Sequence, residues 1–500
     1  MPRNPWSVHR AVAESRRPCC LAPETAMRTK KDTQTQIGFL GAEGNRTTLR
    51  YFERYQCISA LLDRHPEILA AVHVDLERPL EQANRRARSG RPSNHTSETV
   101  LRIALVKLIE DCSFREVEIR VDDSARLREF TRVHNDPMMD FSTLCELVNA
   151  IRPETWSKVN DLLAEAAVAE KRIDGKMLRL DTTAVETNVH FPTDSHQLFD
   201  AHRVVARIVR KIREMVPSLV SDKRLHDRAA KKLHTKIARA RGKKSDEGQK
   251  DQKKLYVRLI RLVRGILDWV PTLTERIRRD GARHVGSVGD AARLDALLDQ
   301  LEHFRALGMR CVDLAHRRVV DGEKIPNDEK LFSIFEPHTE LLIRGKAGKP
   351  IEFGHMVSIH QVEGSFIVDY EVHAKKPADF ETIDAALARH VELFGAPPRV
   401  LAADKGYWES TEKTRDLSKS VECVSIGKKG RRTARETARE HGVFFRLGQK
   451  FRAGVEGTIS YLKRTLGMAR CMNKGWAHFA ATVGATVFVH NLIVLARGSG

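Results

Sequence analysis

Five hundred residues are enough for two to four domains, and a hydrophobic share of 41% supports packed cores and excludes a wholly disordered chain. The 86 Lys and Arg against 66 Asp and Glu leave a formal charge of +20, which points to a polyanionic partner, nucleic acid or an anionic membrane. No stretch reads as approaching the ~18 apolar residues that span a bilayer, so nucleic acid is favoured and no membrane partner is expected.

Residues 1–49 read as a leader, partly disordered, lacking the continuous apolar stretch of a signal peptide. Residues 1–26 precede a second methionine, Met27, and are expected to stem from an over-long start. Residues 50–170 read as a helical domain whose first part is polar with scattered apolar positions, ending in a loop-like run at 88–94. Val100, Leu101, Ile103, Leu105, Leu108 and Ile109 are dense enough for a buried helix. Ser113 with Glu116 makes a capping box. Asp140 or Ser142 can cap a further helix, and Pro153 suits the first turn of the next, which carries Trp156, Val159, Leu162 and Leu163. Short helices with tight connections fit a helix-turn-helix-like DNA-binding module, and equally any small helical bundle.

A strand is expected over Met177 to Thr183, closing on Asp181. Residues 197–334 then change character, with apolar residues at helical spacing, and read as a basic helical insertion domain. Between Lys223 and Lys254 stand thirteen lysines and arginines against four acids. Such a run is either a solvated helix face or a phosphate contact; Lys231, Lys232, Lys236 and Arg239 are its candidate DNA-binding residues. Residues 242–249 read as a loop tip between two helices.

After Pro337 strands are expected at Met356 to Ile359, Phe366 to Val372, Arg399 to Asp404 and Val421 to Ile426, with helices at Ala378 to Leu393 and Glu409 to Leu417. Lys428 to Glu440 reads as a basic loop, and Ala453 to Leu466 and Trp476 to Leu495 as helices. The fold class is α/β: residues 171–196 and 335–500 form one mixed domain interrupted by an all-α one. The eight cysteines form no Cys-x-x-Cys pair and read as reduced thiols of a cytoplasmic protein.

Asp181 and Asp404 each close an apolar strand, where a charge is costly unless it is paired or binds a cation. Strand ends are also where sites assemble in open α/β sheets, although one such Asp alone is more often a turn former. Glu456 lies on a helix four residues after Arg452, and alone would read as a surface ion pair. Together the three carboxylates would make a hard oxygen site suited to Mg²⁺, as phosphodiester chemistry with two metal ions requires.

At these residues a resemblance enters. Leu178 to Asn188 and Phe191 to Ser195 resemble the first-aspartate region of bacterial insertion-sequence transposases, in particular the group called ISNCY. Ala402-Ala403-Asp404-Lys405-Gly406-Tyr407 resembles the second-aspartate strand and turn, and Arg452, Glu456 and Lys463 match an Arg-x3-Glu-x6-Lys pattern on the helix of the third acid. Gln449 stands where the wider family has a tyrosine. Phe335 to Leu341, Gly345 to Pro350 and Asp140 to Leu144 also look like these families, and the likeness spans roughly residues 27–495.

The resemblance implies a DDE transposase with a ribonuclease-H-like catalytic domain, a large helical insertion after its first strand and a helical N-terminal DNA-binding domain. It implies catalytic, metal-holding roles for Asp181, Asp404 and Glu456, with Mg²⁺ as cofactor and Mn²⁺ as a substitute. Arg452 and Lys463 would meet DNA. The partners implied are the element's terminal inverted repeats and target DNA, with a homodimer expected on DNA, in the bacterial cytoplasm at the nucleoid. Asp174 is a rival first ligand ranked below Asp181, because its Asp-Gly context reads as a turn. The competing functions are a nuclease or recombinase that does not transpose, and a non-catalytic DNA-binding regulator.

Overall fold

The computed structural model describes Lys30 and residues 45–84, 95–220, 223–240, 245–346 and 349–497. The expected leader up to residue 44 (apart from Lys30), the loop-like run at 88–94 and residues 242–244 of the expected loop tip lie outside the described residues.

The N-terminal region opens on two long helices, Arg46–Arg64 and Pro66–Asn84, where only a polar stretch had been read. Their apolar residues do follow the helical period: Tyr55, Ile58, Leu61 and Leu62 on the first, Ile68, Val72 and Leu76 on the second, all buried. The many charges between them hide the stripe from a reading based on apolar density. Three expected starts are in place. Ser113 and Glu116 form a reciprocal capping box on Phe114–Asp123, Asp140 caps Phe141–Ala150, and Pro153 opens Pro153–Ala169. Arg102, almost fully buried, is held by Glu98 at 2.9 Å and Asp63 at 2.8 Å, the pairing that a buried charge requires.

Six strands make one sheet: β1 Met177–Glu186, β2 Glu340–Lys346, β3 Lys349–Gln361, β4 Ile367–Val372, β5 Val400–Ala402 and β6 Cys423–Ser425. The order is β2-β3-β1-β5-β6, with β4 also pairing β3. β1 runs antiparallel to β3, whereas β1, β5 and β6 are mutually parallel. β2 and the first half of β3 had not been anticipated. Two other readings need correction. The supposed loop 428–440 contains a helix, Ala434–His441, started by a capping box of Thr433 and Glu436. The helix expected from Ala453 begins ten residues earlier, as Val443–Arg464.

Between β1 and β2 the chain leaves the sheet for a run of helices, chiefly Asp194–Met215, Asp227–Ala240, Asp246–Leu267 and Val288–Ala315. These bury their own apolar faces in a separate core that includes Val205, Leu259, Val263 and Leu301. The N-terminal helices, much of the sheet and the C-terminal helices share another core, and Ala184, Leu342 and Met356 form a small cluster of their own on β1, β2 and β3.

At the centre of that shared core lies Trp476–Arg497. It is long and apolar enough to cross a membrane, contrary to the reading that no stretch approaches such a length, and 83% of its apolar window is buried inside the molecule. Polar residues on it have partners in the chain: Asn491 accepts from Ile367 N at 3.0 Å and donates to Ile367 O at 2.8 Å, continuing the hydrogen bonding of β4. Gly484 permits its close approach, since a Cβ there would stand 2.8 Å from that of Trp156.

Candidate active site

The parallel register of β1 and β5 pairs Met177 with Val400, Leu178 with Leu401 and Arg179 with Ala402. Two residues beyond this last pair stand Asp181 on one segment and Asp404 on the other. Asp181 lies within β1, opposite Ile359 of β3, with its Oδ1 accepting from Thr182 N at 2.8 Å. Asp404 stands two residues beyond the short β5, not within it, and caps the 3₁₀ turn Lys405–Tyr407 by accepting from Gly406 N at 2.6 Å.

The helix Val443–Arg464 packs across β1, β5 and β6. It is seated closely because Gly454 faces Arg179: a Cβ there would come within 2.3 Å of the guanidinium. Arg179 in turn donates to Phe451 O at 2.6 Å and to Gln361, tying the helix to the strand that carries Asp181. Gln449 donates to Ser425 O at 2.6 Å and Ala403 O at 3.2 Å. It therefore fixes the helix to the ends of β5 and β6 beside Asp404.

Electrostatics join the three carboxylates. The Asp181 carboxyl is pushed up to about 6, chiefly by burial and further by the negative charges of Asp404 and Glu456, while the Thr182 N–H and Arg452 pull it down. Burial and neighbouring like charges raise the energy of the ionised form, so a cation beside the carboxyl would favour its ionisation. Glu456 itself is 66% exposed and accepts from Arg452 at 3.0 Å, so the surface-pair reading is also realised. Lys463 is half-buried on the same helix. Among the described residues no three His, Cys, Asp or Glu side chains are gathered closely enough to hold a metal ion. The donor chemistry at Asp181 and Asp404 nevertheless suits a hard divalent cation, and an exposed glutamate has rotamers free to join them. Asp174 pairs with Lys176 at 2.5 Å in the turn before β1 and stands apart from this group as a turn residue.

Two residues at the site escaped the sequence reading. Asp379 begins the 3₁₀ turn Asp379–Thr382, and its Oδ1 accepts from Thr182 Oγ1 at 3.1 Å. Tyr407 is 2% exposed, and its hydroxyl has no hydrogen-bond partner closer than a weak contact with Thr382. The Lys375-Lys376-Pro377-Ala378-Asp379 segment offers a proline before a helix start as its only local signal.

Away from the sheet, Lys231, Lys232, Lys236 and Arg239 all lie exposed on Asp227–Ala240 of the insertion, opposite its buried Ala230 and Ile237.

Residues 56–150 match the family model described as Transposase domain (DUF772). No curated protein and no solved structure matches the chain. The matched segment covers most of the N-terminal helices and stops short of Asp181. It supports a transposase family, a mobile-element origin and DNA as the partner.

Proposed function

We propose that this chain is a DDE transposase of a bacterial insertion sequence, which binds the element's terminal inverted repeats and catalyses metal-dependent strand cleavage and strand transfer. The observation that carries the reading is the β1–β5 pairing, whose last pair, Arg179 with Ala402, stands two residues before Asp181 and Asp404, together with the negative charges of Asp404 and Glu456 acting on the Asp181 carboxyl. The strand order β3-β1-β5-β6, with an antiparallel pair on one side of β1 and parallel strands on the other, is the support for a ribonuclease-H-like catalytic domain. The transposase-domain match in the N-terminal helices supports a DNA-binding role for them.

In this reading Asp181, Asp404 and Glu456 would hold Mg²⁺, which would supply Lewis-acid stabilisation of the oxygens at a phosphodiester. Asp181 must shed its proton to act as a ligand, so a carboxyl at about 6 is ready to do so at neutral pH. Glu456 leaves Arg452 to join the two aspartates, and the freed guanidinium then meets a DNA phosphate together with Lys463. Hydrolysis at the element's end breaks a P–O bond and leaves a 3′ hydroxyl. That hydroxyl attacks a target phosphodiester, forming one P–O bond as the target's own 3′ oxygen departs. The exposed cations of Asp227–Ala240 hold the DNA by its backbone. Two DNA ends have to be brought together, so a homodimer on DNA is part of the proposal.

The decisive experiment is cleavage of a supercoiled plasmid bearing the element's own ends, with Mg²⁺, by the wild type and by Asp404→Ala. Cleavage at the ends that vanishes in the variant supports the metal–carboxylate mechanism. Cleavage retained by the variant, or none at all despite specific binding, overturns it in favour of another site or a DNA-binding regulator. Strand transfer with pre-cleaved ends then separates a transposase from a nuclease.

A further inference from the structure

We infer that Asp379 is a fourth acid of this site, a direct ligand for the divalent cation held between Asp181 and Asp404. The inference rests on the reading above and deepens it. The 3₁₀ turn headed by Asp379 packs on the turn Lys405–Tyr407 that follows Asp404. Its Oδ1 is fixed by the Thr182 hydroxyl at 3.1 Å, and Thr182 is the neighbour whose N–H binds Asp181. Asp379 is thereby anchored to β1 at Thr182, the residue after Asp181.

Its other oxygen faces Asp404. A methyl group built on Gly406 would lie 2.6 Å from Asp379 Oδ2 and 2.7 Å from Asp404 Oδ1, so both carboxylates border the same small volume. Independently, the Tyr407 hydroxyl is buried without a close partner where Asp181, Asp379 and Asp404 all act on it as negative charges. The cations at the rim are already engaged: Arg452 with Glu456, and Lys429 with Gly406 O at 2.8 Å. Asp379 and Asp404, bordering one small volume close to Asp181, offer hard oxygen ligands of the kind a divalent cation takes. Asp379 supplies an oxygen at a third corner, from the loop before a helix and not from a strand or from Val443–Arg464.

The test is Mn²⁺ binding to the full chain, read by the loss of free-ion electron paramagnetic resonance signal, for wild type, Asp404→Asn and Asp379→Asn. Asp379→Ser serves as a second variant, since serine still offers Thr182 an oxygen if the amide disturbs the turn; metal-free melting checks that each is folded. We expect both Asp379 variants to bind Mn²⁺ about 10- to 100-fold more weakly, as Asp404→Asn does. Wild-type affinity in the folded Asp379 variants, with affinity lost in Asp404→Asn, overturns this inference and leaves the proposed function standing. Wild-type affinity in Asp404→Asn overturns the proposed function itself, and this inference with it.

Discussion

The sheet-centred body and the helical insertion use charge in opposite ways. Beside β1 and β5 the half-buried Asp181 carboxyl stands in the field of Asp404 and Glu456, which raise it further than burial alone. On Asp227–Ala240 the cations stand apart in solvent, each nearly independent, on a helix that belongs to a different core. Chemistry needs convergence, which only tertiary structure supplies; grip on a polyanion needs a sum of charges, which one helix can carry by itself. The two functions should therefore separate under mutation.

The largest separation is expected from the acids. Glu456→Gln should lower cleavage by a factor on the order of 10³ or more while binding of end DNA, followed by fluorescence anisotropy, stays within about threefold of wild type. Cleavage that survives removes Glu456 from the site and leaves it as the surface partner of Arg452.

Next in size is a test of whether the two cores are separate bodies. Phe488 is fully buried against Trp156, with ring centroids 6.0 Å apart, and Phe488→Ala should cost about 3–5 kcal/mol. Hydrogen exchange should show lost protection in β1 and β3, with the amides of Asp246–Leu267 unchanged. An equal loss in both would mean that the cores unfold as one, and the contrast drawn above would fail.

What the sequence made legible follows the same division. Signals that act within a few residues were readable: the Ser113–Glu116 box, the Asp140 cap, Pro153 and the apolar runs of β1 and β4; the two aspartates do not close their strands, since β1 runs on past Asp181 to Glu186 and β5 ends two residues before Asp404. Arg46–Arg64 and Pro66–Asn84 were missed because charges dilute their apolar stripe. Ala434–His441 was missed although Thr433 and Glu436 spell a capping box, because its basic composition resembles a loop. Trp476–Arg497 was read nearly in full, as Trp476 to Leu495, but its sustained apolar character was obscured by Thr482, Thr486, His490 and Asn491, whose partners are visible only after folding. Asp379 had almost no local signal. Its place beside Asp404 follows from the packing of two short turns far apart in sequence, which no spacing rule encodes.

A smaller effect is expected from the insertion. Replacing Lys231, Lys232, Lys236 and Arg239 with glutamine should weaken DNA binding and reduce the slope of log K against log salt by roughly 3 to 4, at about 0.9 per phosphate contact. The rate of cleavage at saturating DNA should hardly change. An unaltered slope makes the run a solvated face only.

The smallest and most discriminating effect is that of pH on the two cores. Burial holds His355 and His490, both in the sheet-centred body, at about 4. Unfolding returns each to an ordinary value near 6.5, so the unfolded chain takes up protons first as pH falls. Stability is then lost between about 6.5 and 4, at roughly 1.4 kcal/mol per pH unit for each histidine. Asp181 acts in the other sense: raised to about 6, it binds its proton more readily in the native state and returns some stability between about 6 and 4. The net change over that window is still a loss, since four lowered histidines, His373 and His390 included, oppose three raised acids, Asp161 and Glu363 included. In the insertion, burial lowers His196, His202 and His234 less far, and there the same acidification should cost less. Exchange protection measured at pH 7 and pH 5 should therefore fall more in β3 and Trp476–Arg497 than in Asp246–Leu267. The reverse order would assign the acid-sensitive histidines to the insertion and break the comparison at its electrostatic root.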